Sequence, residues 1–408
     1  MTATAPRGPQ PPAAAEEPRR LRIVLVEFLP SGGMFQFSFQ FAAALAKAGH
    51  DVRLITGPNP ELVSNIEGFE ICSLVPTWHP NAEIAGGGLR RRMRRVGRAV
   101  RLLESWRRVL GYLRRERPDV AQFGELRFLL DTASLLVVAR LGRPTAIVDV
   151  AHNPLPYDVT SKTQAVQKGG RLTRWLLGRA YRACSVVLVL GEGPKQDLLR
   201  EFPAVERVAV CGHGDYSAVL GTVGVPLPSA APPSALLFGA WTKYKNIPLL
   251  LDAFELVRAE IPEATLTLAG PVMPDVDLAT ITARAAAIGQ VDLRPGYVPM
   301  EELPQLFGDH RVLMFTYETV NISGSVHMAY TFGRPVVATR VGSMGDVVEN
   351  GVTGLLADPT PRSVADAMVR LLDPATADRM GASAARHAEQ RSSWASVATK
   401  AVAAYVGA

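Results

Sequence analysis

The chain has 408 residues, 48% of them hydrophobic and 20% charged, enough to bury two cores of ordinary domain size, and no uncharged apolar run of about 18 residues marks a membrane span. Cys72, Cys184 and Cys211 are odd in number and lack metal-ligand spacing, which argues against a disulfide framework and for packing roles in a reducing cytoplasm. The net charge of +6 is local: residues 90–117 hold twelve arginines against Glu104 and Glu116, and without zinc-finger spacing, an aromatic-rich RNA motif or a basic tail they do not point to nucleic acid.

The first twenty residues, MTATAPRGPQPPAAAEEPRR, are Pro- and Ala-rich without the apolar run of a secretory signal, and are expected to form a disordered leader. LRIVLVE (21–27) then reads as a buried strand, LPSGG as a turn, and MFQFSFQFAAALAKAGH as a helix that Gly49 ends. DVRLIT, PDVAQFG, PTAIVDVA, SVVLVLG and RVAVCG follow as further strands, giving one doubly wound half over 21–212. In the arginine-rich stretch, Val96, Val100, Leu103, Trp106, Leu110 and Leu113 recur at helical spacing, which predicts that they face the core and the arginines face out. That basic face, Arg90 to Arg117, is either merely solvated or a docking surface for anionic lipid. Trp78, His79 and Trp106 are candidate interface contacts.

Residues 213–234 are rich in Gly and Pro without periodicity and are expected to link two halves. The second half, 235–390, repeats the alternation: SALLFGAW as strand, NIPLLLDAFELVRAEIP as helix, ATLTLAG as strand, two helix signals, then HRVLMFTY as strand. RPVVATRVG and GVTGLLAD continue the sheet, and helices close the chain, the one at 391–408 being expected to pack back toward the first half. The fold class is therefore α/β, two Rossmann-like parallel-sheet domains facing a cleft.

Ligands of open α/β sheets bind outside the carboxyl ends of the strands, which singles out four places. ETVNISGSVHMAYTFG (318–333) follows a strand and opens a helix, so the amides around Ser323, Gly324 and Ser325 suit a phosphate. Such residues also serve as ordinary N-caps. Lys243 and Lys245, in FGAWTKYKN, follow a strand of the same half and offer point charges for a diphosphate. Gly32 and Gly33 follow the first strand and permit close backbone approach, without forming a GxGxxG fingerprint. His152, at the end of PTAIVDVA, is placed to position or polarise a substrate group.

The order of GG after the first strand, LAKAGHDV, RPDV, AHN, FGAWTKYKN with LLLDAF, LTLAG, and FGRPVVATRVGS with DVVENGVTGLL resembles the retaining glycosyltransferases of family 4, which have the GT-B fold. The resemblance spans roughly residues 21–390. It implies a nucleotide-diphosphate-sugar donor held mainly by the second half, a glycan, lipid-linked or small-molecule acceptor held by the first, and transfer with retained configuration. It also implies electrostatic stabilisation of the leaving diphosphate, with no metal and no cofactor beyond the donor substrate. Carried over, Gly32 and Gly33 lie against the donor phosphates, His152 is catalytic near the sugar, and Lys245 is catalytic on the diphosphate with the Ser323–Ser325 amides.

The sequence departs from that pattern in three places. Ala240 stands where the family usually has arginine, Asn246 where glycine is usual, and Val320 and Met328 where paired glutamates are frequent. Lys243 is a candidate replacement for the missing charge, and Tyr317, Glu318 and Asn321 are the local polar candidates for donor contact. Asp346 falls where many relatives have glutamate. The leading expectation is a cytoplasmic, membrane-peripheral glycosyltransferase. A non-catalytic homologue that supports a partner transferase is the alternative motivated by the missing glutamates.

Overall fold

The computed structural model describes residues 19–76, 88–124, 126, 129–142, 146–155, 170–216, 225–319 and 324–407, with backbone alone for 88–95 and Arg391. The strands are β1 (Arg22–Val26), β2 (Asp51–Thr56), β3 (Phe69–Ser73), β4 (Val120–Phe123), β5 (Ala146–Ala151), β6 (Val186–Val189) and β7 (Val208–Val210) in the first half. In the second they are β8 (Ser234–Phe238), β9 (Thr265–Gly270), β10 (Val291–Pro295), β11 (Val312–Phe315), β12 (Val336–Thr339) and β13 (Gly354–Ala357). Every pairing between them is parallel. The two sheets run β3-β2-β1-β4-β5-β6-β7 and β10-β9-β8-β11-β12-β13. Both orders reverse beside their first strand, which puts a topological switch point between β1 and β4 and another between β8 and β11.

Helices α1 (Gly33–Lys47), α2 (Gly88–Glu116), α3 (Leu129–Leu141), α4 (Arg171–Ala183) and α5 (Glu192–Glu201) belong to the first half. The second contains α6 (Ile247–Glu260), α7 (Leu278–Ile288), α8 (Leu303–Gly308), α9 (Gly324–Thr331), α10 (Met344–Val347), α11 (Pro361–Leu372) and α12 (Pro374–Arg391). The last helix, α13 (Trp394–Val406), packs on α1, its Trp394, Val397, Ala398, Ala401 and Tyr405 sharing a core with Phe37 and Phe41. Central strands such as VVLV and VLMF are buried throughout because helices cover both faces of each sheet.

The sequence reading placed neither β3 nor β10. Both are edge strands, and their partly exposed patterns break the continuous apolar run by which a buried strand is recognised. The expected core face of α2 is corrected as well. Leu102, Trp106, Val109 and Leu113 are buried, while Val96, Val100 and Leu103 are 60%, 59% and 51% exposed. Two apolar stripes run side by side on this helix, and only the one beginning at Leu102 meets the sheet.

Two buried arginines fasten the linker to the second half. Arg334, fully buried, donates from Nε to the Phe307 carbonyl at 2.9 Å and from Nη2 to the Pro226 and Gly308 carbonyls at 2.7 and 3.1 Å. Burial lowers its pKa to about 10. Arg311 reaches the Ala231 and Leu372 carbonyls in the same way. The arginine of FGRPVV is thus structural.

Candidate functional site

The second switch point assembles the predicted phosphate residues. Lys245 closes the short helical turn Lys243–Lys245 after β8, and is 3% exposed. Its Nζ donates to the Phe238 carbonyl at 2.7 Å and lies 5.9 Å from the Tyr317 ring centroid. Burial lowers its pKa to about 7, because the ammonium has lost its water. Gly239, with φ +97°, lies between the lysine and α9: a Cβ there would stand 2.8 Å from Lys245 Nζ and 3.7 Å from Ser325 Oγ. One missing side chain therefore leaves room for an ammonium, a hydroxyl and a helix N-terminus to converge.

The turn is locked to β11. Thr316 Oγ1 donates to the Lys245 carbonyl at 2.9 Å, and the Glu318 amide donates to the Tyr244 carbonyl at 2.7 Å. Asn246 explains one departure from the family pattern. Its φ of +50° and ψ of 51° are left-handed, a conformation asparagine tolerates better than other side chains, and its side chain accepts from the Leu249 amide to cap α6.

The other candidates are distributed less tightly. Gly324 opens α9, and a Cβ on it would meet Tyr216 Oη at 3.0 Å and His213 Nε2 at 3.2 Å. Lys243 and Glu318 are exposed, and the Lys243 amide donates to Asp275. Tyr317 is buried among Tyr244 and Phe315, which makes it part of the wall. Met328 is buried on α9. Asn321 and Ser323, like Val320, Trp78 and His79, lie outside the described residues. Asp346 approaches the other half, where a Cβ on Gly193 would stand 3.3 Å from its carboxylate.

His152, at the end of β5, belongs to a ring cluster at the join of the halves. Phe37 stands edge-on to it at 4.5 Å and also touches His213 and Trp394 at 5.1 and 5.2 Å. His213 stacks on His327 of α9 at 4.8 Å with ring planes 5° apart. Its Nδ1 bonds the Gly214 carbonyl at 2.7 Å, burial lowers its pKa to about 4, and burial also drives that of His327 well below the usual imidazole value. Two neutral, stacked imidazoles thus connect the start of the linker to the helix whose N-terminus faces Lys245.

Gly32 stands at the N-terminus of α1. As N-cap of α1 with φ 83°, it donates its amide to Glu61 at 2.9 Å, so a carboxylate already sits at that helix end. Sequence reasoning missed Glu61, His213, His327 and the buried Glu27 at the end of β1. A strand-end position marks Glu27. His327 lies within the 318–333 stretch, which the sequence marks for its amides and not for this ring, and Glu61 and His213 lie in segments that carry no periodic or motif signal.

Two parallel-sheet domains, each with its switch point at a shared cleft, define the GT-B architecture. Solved structures agree in fold: sucrose-phosphate synthase from Thermosynechococcus elongatus superposes with a TM-score of 0.73 at 19% identity over 95% of this chain and 99% of that one. Anabaena HepE in complex with UDP-glucose gives 0.67 at 13% identity, over 95% and 100%. Two family models divide the sequence between them: Glycosyltransferase Family 4 matches residues 31–214, and Glycosyl transferases group 1 matches residues 232–374. The chain belongs to the glycosyltransferases with the GT-B fold. A glycogen synthase of Mycobacterium tuberculosis is 25% identical over 95% of both chains. A D-inositol 3-phosphate glycosyltransferase of an Arthrobacter species is 35% identical over 38% of both.

Proposed function

We propose that this glycosyltransferase moves a sugar from a nucleoside-diphosphate sugar to a glycan, lipid-linked or small-molecule acceptor with retention of configuration and without a metal ion, at the cytoplasmic face of a membrane. The observation that carries the reading is the buried Lys245 ammonium beside Gly239, Ser325 and the N-terminus of α9. A diphosphate departing there gains charge where a preorganised cation and helix amides await it, which is how such sites lower the barrier to leaving-group expulsion. The donor occupies the β8/β11 switch point and the acceptor approaches from the β1/β4 side, near His152.

A panel of nucleoside diphosphates and their sugars, beginning with UDP and UDP-glucose, tests this by calorimetry and by acceptor-dependent nucleotide release. Turnover supports transfer; saturable binding without turnover across the acceptor panel would favour the non-catalytic alternative. Affinity carries a pH signature. Because the free Lys245 has a pKa of about 7 and a diphosphate raises it, binding takes up a proton. Affinity should be full below pH 7 and fall by up to about tenfold per pH unit above it.

The membrane part of the reading rests on α2, α3 and α4. Beside the exposed stripe of α2, Leu129, Val137 and Leu141 on α3 and Leu172 and Trp175 on α4 are also exposed, and α3 packs on both neighbours. Exposed Arg101, Arg140, Arg171 and Arg174 accompany them. Apolar side chains between arginines suit an anionic lipid surface. Vesicles rich in phosphatidylglycerol should sediment the protein and neutral phosphatidylcholine vesicles should not. Val100→Ser with Trp175→Ser should weaken the capture at least tenfold, and equal capture by both vesicle types would reject the docking face.

A further inference from the structure

One carboxylate touches both halves of the molecule. Glu61, in the segment after β2, donates its backbone N–H to the Pro30 carbonyl at 2.8 Å. Its side chain accepts from the Gly32 amide at 2.9 Å and from Gln36 Nε2 at 3.2 Å. Gly32 has no side chain with which to cap α1, so Glu61 supplies the cap from another loop, with a charge matched to the positive helix end. The same carboxylate accepts the phenolic hydrogen of Tyr297, which follows β10 in the second half. Tyr297 is half exposed, and its pKa is raised by partial burial and then by Glu61.

We propose that Glu61 is a positioning residue that couples closure of the cleft to the shape of the Gly32–Gly33 loop, with Tyr297 as its cross-cleft partner. With the phenol engaged, the carboxylate is fixed on the Gly32 amide and the loop is held against the cleft. When the halves part, the carboxylate loses one of its anchors and the N-terminus of α1 loosens. The consequence for turnover rests on the glycosyltransferase reading, whereas the coupling itself does not.

Hydrogen exchange read by mass spectrometry over residues 29–40 tests the coupling without any substrate. Tyr297→Phe, a change at an exposed ring more than two hundred residues away, should speed exchange at Gly32–Gln36 about tenfold, as expected when a hydrogen bond to a charged group is lost. Glu61→Gln should do the same, and the double variant should be no faster than the faster single one. Unchanged exchange in Tyr297→Phe, or additive effects in the double variant, would overturn the proposal. If the wild-type protein turns over a nucleotide sugar, Tyr297→Phe should raise the donor KM several-fold with a smaller change in kcat. A shift in exchange with an unmoved KM overturns the positioning role. Absence of turnover in the wild type bears on the function and leaves the exchange result to judge the coupling.

Discussion

Replacing Lys245 with methionine should abolish most turnover while leaving the protein folded. Methionine fills nearly the same volume, so the packing against Gly239 and Tyr317 is kept and the charge is lost. Removing one preorganised charge stabiliser from a leaving-group site lowers kcat by about 10²–10³-fold, and affinity for the free diphosphate should fall with it. Stability should move the other way. The folded pKa of about 7 lies below the 10.5 of an unburied lysine, so between these values the unfolded chain binds a proton that the folded chain does not. The buried ammonium therefore penalises the folded state most below pH 7, and the penalty fades as pH rises toward 10.5. Lys245→Met should accordingly melt at or above the wild-type temperature, with the largest margin below pH 7. Kinetics within threefold of wild type would remove Lys245 from the reaction, and a collapsed melting temperature would make it a structural residue.

The residues that sequence reasoning found and those it missed differ in how far apart their partners lie. Central strands announce themselves because burial on both faces demands a run of apolar residues, as in LRIVLVE and SVVLVLG. Edge strands β3 and β10 carry no such demand. Lys245 was legible because it follows a strand end, yet its burial was not, since lysine is normally exposed and nothing in KYKN says that Gly239 leaves space beside it. On α2 the periodicity was visible, but two stripes of equal hydrophobicity cannot be ranked without the sheet that selects one. The cross-cleft pair illustrates the limit most plainly. Glu61 and Tyr297 are 236 positions apart, and a glutamate in a loop has no local pattern to distinguish a helix cap from a solvated charge.

Trp394→Ala should be the most damaging substitution for stability. The indole is 7% exposed and stands against Phe37 and Phe41 at centroid distances of 5.2 and 6.0 Å. Its Nε1 donates to Gln40 Oε1 at 3.1 Å and to the Asp215 carbonyl. Nothing larger than glycine fits at 214, where a Cβ would fall 2.2 Å from the ring. Truncating a buried tryptophan costs about 3–5 kcal/mol through lost contacts and the cavity left behind, and here two acceptors also lose their donor. Trp394→Phe keeps much of the packing and should cost roughly half as much. The two variants thus separate packing from hydrogen bonding in denaturant titrations. The loss also bears on activity. The chain crosses between halves where Asp215 N–H donates to the Ser392 carbonyl at 2.6 Å and Tyr216 N–H donates to Thr331 Oγ1 at 2.9 Å, and Trp394 wedges this crossing against α1. A loosened wedge lets α13 leave α1, and the His213–His327 stack loses its support on the side of Phe37. Trp394→Ala should therefore lower kcat as well as stability, and cleavage near Ser393 by a dilute protease should become faster. A destabilisation below about 1 kcal/mol would show that α13 is a passive cover and that the crossing is held from the linker alone.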